Sequence, residues 1–204
     1  MLPSLSGKRV VDLGCGLRWA SRWIRRQGAS SVLGLDLPEN MIRRAKAENN
    51  DPDIEYRIAD LETAESPRAS LELAYSALTF HYIKDFGRLV CMVHQALDRG
   101  YMVFTIEHPI FMAAYHPHWI ADEDGRKTWP VNRYALEGER QTDWFPKGAI
   151  KYQRTIGTTL NTLISSGFQI LSVEECAPSN KHIAQTSELA DLDLPMMLIV
   201  SVRR

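Results

Sequence analysis

The feature that most constrains the fold is an alternation running nearly the length of the chain, in which short apolar runs bounded by turn residues trade places with stretches of helical spacing. Strands and helices that alternate in this way build a parallel sheet covered by helices, so an α/β fold is expected. A first strand is predicted over Arg9–Leu13, then a helix from about Leu17 to Gln27. Gly28 stops that helix, since glycine accepts the left-handed turn that ends helices. "SVLGLD" reads as the second strand, "ENMIRRAKAEN" after Pro38 as a helix, and "IEYRIAD" and "LELAYSAL" as the third and fourth strands. "DFGRLVCMVHQAL" puts Leu89, Val90, Val93 and Leu97 on one helical face, and "YMVFTIEHP" forms a fifth strand closed by Pro109. "TIGTTLNTLISSG" predicts a helix, "FQILSVEE" a sixth strand and "PMMLIVSVR" a last one. The segment from about 110 to 150 fits neither period and holds Trp119, Trp129 and Trp144, three of the five tryptophans.

No linker, repeat or low-complexity run divides the 204 residues, so residues 1–204 are expected to form a single domain. A net charge of -1 gives no broad attraction to nucleic acid or to an anionic membrane, and neither partner is expected. The cluster Arg18, Arg22, Arg25 and Arg26 reads as a solvated helix face. No run reaches the ~18 apolar residues of a membrane span, and "MLPSLSGKR" has no long apolar core, so a cytoplasmic protein is expected. Cys15, Cys91 and Cys176 are too scattered for a disulfide framework, and the first two read as buried small hydrophobes. His116 and His118 alternate on a loop without further clustered ligands, a weak pattern for metal, and no metal is expected. Oligomeric state is not legible.

"VVDLGCG" places Asp12, Gly14 and Gly16 where the first strand turns into the first helix, at the sheet edge where open α/β folds bind ligands. The glycines allow a tight turn, and the following helix offers free N–H groups to an anion. A dinucleotide fingerprint would need a glycine where Trp19 stands, which disfavours nicotinamide. D-x-G-x-G suits instead a cofactor with an amine and a carboxylate at one end and a nucleoside at the other. Asp12 can attract the amine, Asp36 at the tip of the second strand can accept both ribose hydroxyls, and Asp60 can take the exocyclic amine of an adenine beside the Leu61 N–H. Each acid alone is more often a helix cap than a ligand partner. Three acids at three successive strand ends mark one crevice.

At these residues the chain resembles the class I S-adenosylmethionine-dependent methyltransferases, whose successive motifs are matched by "VVDLGCG", "LGLDLPENMIRRAK", "IADLE", "YSALTFHYIKD", "HQALDRGYMVFTIEHPIF" and "GFQIL". The stretches "EHPIF", "WPV", "EGER" and "KYQRTIGTTLNTLISSGF" are similar to a small-molecule subgroup. The resemblance implies a Rossmann-like seven-stranded sheet of order 3-2-1-4-5-7-6 with strand 7 antiparallel, and the cofactor pair S-adenosyl-L-methionine and S-adenosyl-L-homocysteine. It also implies that Asp12, Gly14, Cys15 and Gly16 hold the methionyl part, Asp36 the ribose, Asp60 and Leu61 the adenine, and Ala77 the methionyl amine through its backbone.

The chain departs from that pattern at Arg18, which replaces the family's third glycine; its side chain can point outward, fold inward onto the cofactor carboxylate, or fill the pocket. Glu72 stands where aspartate usually begins the fourth strand, and "LDRGY" replaces a proline-glycine turn. Only about eight residues precede the first strand, which is expected to leave the site more open. On the acceptor side His108 in "EHP" is the first choice as general base, although it could equally hold the turn before Pro109 through Glu107 or backbone. Tyr82 could position an acceptor, with His81 beside it, and Tyr152 and Arg154 are expected to begin the helix after the insertion and reach over the site. Gln153 stands where the subgroup commonly has histidine. The insertion, with Trp119, is expected to cover the substrate, its aromatic faces shaping an apolar pocket and tolerating a cation; the plainer alternative is a loop sealing the sheet edge. The expected activity is methyl transfer to oxygen or nitrogen of a small molecule. A non-catalytic or repurposed member of the fold is the alternative. A nucleic-acid methylase ranks lower, because "SALTF" lacks the N/D-P-P-aromatic arrangement that grips an extruded base.

Overall fold

The structure, a computed structural model, describes residues 1–114, 118–142, 148–176 and 194–204. The predicted alternation folds as β1 (Arg9–Leu13), α1 (Trp19–Arg26), β2 (Ser31–Asp36), α2 (Glu39–Ala47), β3 (Ile54–Ile58), β4 (Leu71–Ala77), α3 (Phe86–Ala96) and β5 (Leu97–Glu107). After β5 come α4 (Pro109–Ala113), the short strands β6 (Ile120–Ala121), β7 (Lys127–Thr128), β8 (Gly138–Thr142) and β9 (Ala149–Gln153), then α5 (Ile156–Ser165), β10 (Gln169–Cys176) and β11 (Met197–Arg203). The main sheet has the order β10-β11-β5-β4-β1-β2-β3, with β11 antiparallel to both neighbours and β1 to β5 parallel. Numbered within that sheet, the order is the expected 3-2-1-4-5-7-6.

Alternation along the central strands divides the core. Val11, Leu13, Ala74, Phe104 and Val200 face α3 and α5, which contribute Leu89, Val93 and Leu163. Val10, Val32, Tyr56, Leu73 and Val103 face the side of α1 and α2, where Ile24 and Ile42 are buried. Each Val, Leu, Ile or Phe among them contributes about 1.5–3 kcal/mol by leaving water.

Two differences from the sequence reading have local causes. β5 begins at Leu97, four residues before the expected Tyr101, because α3 runs straight into the strand with no separate turn. Gly100 makes this feasible: a Cβ there would stand 2.4 Å from the Glu72 carbonyl oxygen, a separation only glycine tolerates. Glu72 itself accepts the Arg9 backbone N–H at 2.8 Å and its guanidinium, fastening β4 to β1. The second difference is a correction. Tyr152 lies in β9 and Arg154 in the loop beyond it, not in a helix, because the Thr155 side chain caps α5 by accepting the Thr158 N–H at 3.0 Å.

Among the described residues the insertion folds as the short α4 and two antiparallel strand pairs, β6 with β7 and β8 with β9. Their strands are too short or too polar to show a period. Among the described residues no helix is long and apolar enough to cross a membrane.

Candidate active site

The crevice at the C-terminal ends of β1 to β4 is built by the loop after β1. The Gly14 and Cys15 N–H groups both donate to the Leu35 carbonyl, at 2.8 and 3.0 Å, which pins the loop against β2. The chain then turns so that the Gly16 N–H donates to Asp36 Oδ2 at 2.6 Å, while Asp36 Oδ1 accepts the Leu37 N–H at 2.8 Å. The loop amides are therefore spent within the protein. Each Asp36 oxygen keeps a second lone pair for a ligand hydroxyl. Gly14 and Gly16 both have positive φ, +78° and +50°, but they differ in surroundings: a Cβ on Gly14 would meet Thr79 Oγ1 at 2.0 Å, whereas one on Gly16 would meet nothing within 4 Å. Gly14 lets the loop pass under the turn after β4, and Gly16 leaves open space beside Asp36.

Asp12 is buried behind this loop and accepts the Ser21 hydroxyl at 2.5 Å. Burial, with the neighbouring Asp36 charge adding to it, pushes the Asp12 carboxyl up to about 6. Burial pushes the Cys15 thiol up, and Cys15 is the small buried filler expected, beside Gly34; Cys91, expected to be buried too, is exposed on α3. Asp60 is exposed just past β3 and accepts the Glu62 N–H at 2.9 Å; Leu61 beside it is buried. Ala77 ends β4 exposed, its carbonyl accepting the Thr79 hydroxyl at 3.2 Å. Among the described residues no cation pairs with Asp12, Asp36 or Asp60. Asp36 beside the open Gly16, Asp12 behind it and Asp60 at the next strand end, none with a cation partner among the described residues, fit a ligand that brings a cationic end and a diol.

Arg18 takes the outward option. It stands in the left-handed region at φ 67°, starts α1, and sends its guanidinium to the Glu48 carboxylate and to the Arg44 carbonyl at 3.4 Å. Those partners lie on and just beyond α2, so its charge is spent away from the three acids.

A second polar cluster forms where β4 and β5 end. The 3-10 turn Phe80–Tyr82 supplies His81 and Tyr82, β5 supplies Glu107, and β9 supplies Lys151. Glu107 Oε1 accepts the Lys151 ammonium, which is 5% exposed as a residue and lies 5.7 Å from the Tyr82 ring centre. His81 Nδ1 accepts the Glu107 N–H at 3.4 Å, and burial, then Lys151 and Arg154, press its pKa down to about 3. It is a neutral imidazole at physiological pH. Tyr82 is pushed up by burial and by Glu107.

His108 has the contacts of the turn-holding alternative. It is fully buried, its Nδ1 accepts the Ile110 N–H at 3.1 Å as the cap of α4, and its Nε2 meets Glu175 Oε1 on β10 at 2.9 Å. With Nδ1 accepting, Nε2 carries the proton, so both nitrogens are committed to holding the turn; the partner is Glu175, not Glu107. Arg154 is committed too, donating to the carbonyls of Phe80, Ile83, Lys84 and Tyr152 and stacking 5.2 Å from the Phe86 ring centre. Tyr152 lines a narrow pocket with Phe80, His81, Phe86 and Met112. Trp119 packs edge-on to Trp129 at 5.4 Å, and Trp129 stacks on Phe111 at 5.1 Å, forming an aromatic wall beside α4. Trp144 and His116 lie outside the described residues. Neither Glu107 nor Lys151 stands out in the sequence as a functional residue. Glu107 was legible as the last residue of a strand, but Lys151 could be found only by recognising the β8–β9 pair.

A methyltransferase domain family matches residues 11–104. An S-adenosylmethionine-dependent methyltransferase from Mesorhizobium loti is 52% identical, aligns over 100% of this chain and 94% of its own, and superposes with a TM-score of 0.96. A Haemophilus influenzae protein of uncharacterised function is 32% identical over 189 residues, covering 86% of this chain and 72% of its own length. A ubiquinone biosynthesis O-methyltransferase from Neisseria meningitidis serogroup C is 43% identical over 67 residues, 30% of this chain and 28% of that relative. This chain thus spans less than a third of that curated enzyme.

Proposed function

Because the chain belongs to the class I S-adenosylmethionine-dependent methyltransferases, we propose that it methylates oxygen or nitrogen on a small-molecule acceptor. The cofactor, when bound, supplies a methyl group already activated on a sulfonium, so the residues of the chain have mainly to bind, orient and accept a proton. Asp12 would face the cationic methionyl end, Asp36 the ribose, and Asp60 with Leu61 the adenine, with the Ala77 backbone beside the methionyl amine. Gly14, Cys15 and Gly16 would shape the floor.

The observation that carries the acceptor reading is the Glu107–Lys151 pair at the end of β5. β5 runs beside β4, whose own turn closes over Gly14. Among the described residues Lys151 takes one carboxylate oxygen, and Glu107 Oε2 would take an acceptor proton, a task for which His108, with both ring nitrogens engaged, and His81, a weak base at about 3 whose Nδ1 already accepts the Glu107 N–H, are less suited. Tyr82, Tyr152 and the Trp119–Trp129 wall would hold an apolar body. The non-catalytic alternative rested in part on Arg18 filling the pocket, and its pairing with Glu48 gives that no support.

Incubation with methyl-labelled S-adenosylmethionine and separate sets of phenols, carboxylic acids and amines tests the reading. Label is expected in one small-molecule class, and Glu107→Gln should lower turnover about 10²–10⁴-fold while leaving cofactor affinity in place. Cofactor binding without transfer to any class would favour the non-catalytic reading instead.

A further inference from the structure

The segment Phe80–Asp85 carries His81 and Tyr82 and joins β4 to α3. It is gripped from both sides. On the cofactor side Glu62, two residues past Asp60, accepts the Lys84 N–H with Oε1 and the Asp85 N–H with Oε2 at 3.2 Å. Arg88, from the first turn of α3, returns the grip by donating to the carbonyls of Leu61 and, at 3.1 Å, Ala64. On the acceptor side Arg154, from the end of the β8–β9 pair, donates to the carbonyls of Phe80, Ile83 and, at 3.0 Å, Lys84. The Lys84 residue is thus held through its N–H by one side and through its carbonyl by the other.

We propose that Glu62 and Arg154 are positioning residues that act on one strap, Phe80–Asp85, and through it couple the adenine end of the cofactor crevice to the strand pair covering the acceptor pocket. This rests on the cofactor assignment above. A carboxylate accepting two N–H groups and a planar guanidinium donating to three strap carbonyls are directional, charge-assisted contacts, so a shift of the strap cannot satisfy one side without straining the other. Cofactor binding next to Asp60 and Leu61 fixes the loop that carries Glu62; the strap follows, and with it His81, Tyr82 and the end of β9. Neither Glu62 nor Arg154 needs to touch the cofactor or the acceptor for this. The coupling also runs in reverse, as linkage requires.

The test is a double-mutant cycle with Glu62→Gln and Arg154→Lys, reading S-adenosylhomocysteine affinity by calorimetry and amide exchange of residues 149–153 without ligand. Arg154→Lys keeps the charge but not the fork, and circular dichroism checks that both variants fold. Each single variant is expected to weaken binding about 5- to 20-fold, the double variant by clearly less than the product, and Glu62→Gln is expected to speed exchange in β9. Affinities for Arg154→Lys within about twofold of the parent, or effects that simply multiply, would overturn the coupling. If the parent binds no S-adenosylhomocysteine, the cofactor reading fails, and exchange alone decides the strap: unchanged β9 exchange in Glu62→Gln sinks it.

Discussion

Asp12→Asn is expected to make the protein more stable at neutral pH and markedly worse at binding its cofactor. The Asp12 carboxyl lies at about 6 in the fold against 3.8 for the ordinary group. The folded state therefore holds this proton more tightly than the unfolded chain does. Stability falls as pH rises from about 4 to about 6 and stays lower above it, by roughly 3 kcal/mol at most for a shift of about two units. Asparagine never ionises and keeps an oxygen for the Ser21 hydroxyl, so a gain of about 1–3 kcal/mol is expected at pH 7.5, or roughly 2–12 °C in Tm, vanishing near pH 4. Affinity for S-adenosylmethionine should meanwhile drop about 30-fold or more, the usual cost of removing one partner from a buried charged pair. Thermal melts at pH 7.5 and pH 4.5, paired with titrations, check both halves. A lower Tm at pH 7.5, or an equal gain at both pH values, would show that Asp12 is not a strained anion awaiting a cation.

The two loop glycines should fail in opposite ways. At Gly14 an alanine Cβ would lie 2.0 Å from Thr79 Oγ1 at a φ of +78°. Backbone strain of about 1–2 kcal/mol then adds to a steric conflict that only movement of the turn after β4 can relieve. Gly14→Ala is expected to lose about 3 kcal/mol or more of stability. Gly16→Ala, at +50° with nothing within 4 Å, should cost only about 1 kcal/mol from the same strain and fold well, yet bind cofactor poorly because its methyl projects into the space beside Asp36. Denaturant unfolding of both variants, with titration of Gly16→Ala, separates the two effects. Equal stability losses would mean that the loop relaxes around either side chain.

These contrasts also mark how far the sequence could be read. The seven strands and the crevice acids were legible because strand period, helix period and D-x-G-x-G are local signals, and each acid falls at the end of a strand that local apolarity defines. What the residues do to one another was not local. Arg18 has three options in one dimension and one in three, because Glu48 and the Arg44 carbonyl come close only when α1 and α2 pack on the same face of the sheet. His108 reads as a base because it ends the fifth strand at the edge that holds the cofactor crevice, but folding brings Glu175 from 67 residues away to its ring nitrogen, while Glu107 turns to Lys151. Lys151 and the strap contacts of Arg154 stayed hidden for the same reason, since a strand pair of polar residues has no hydrophobic period to announce it.

The most direct measurement is a calorimetric titration of S-adenosylmethionine into the protein and into Asp36→Ala. One site per chain is expected on the parent, with affinity in the micromolar range, and at least about a 100-fold loss in the variant, whose loop would lose the ribose carboxylate and its Gly16 contact together. No heat with the parent, or binding that Asp36→Ala leaves intact, would contradict that expectation: the crevice at the ends of β1 to β3 would not be the cofactor site.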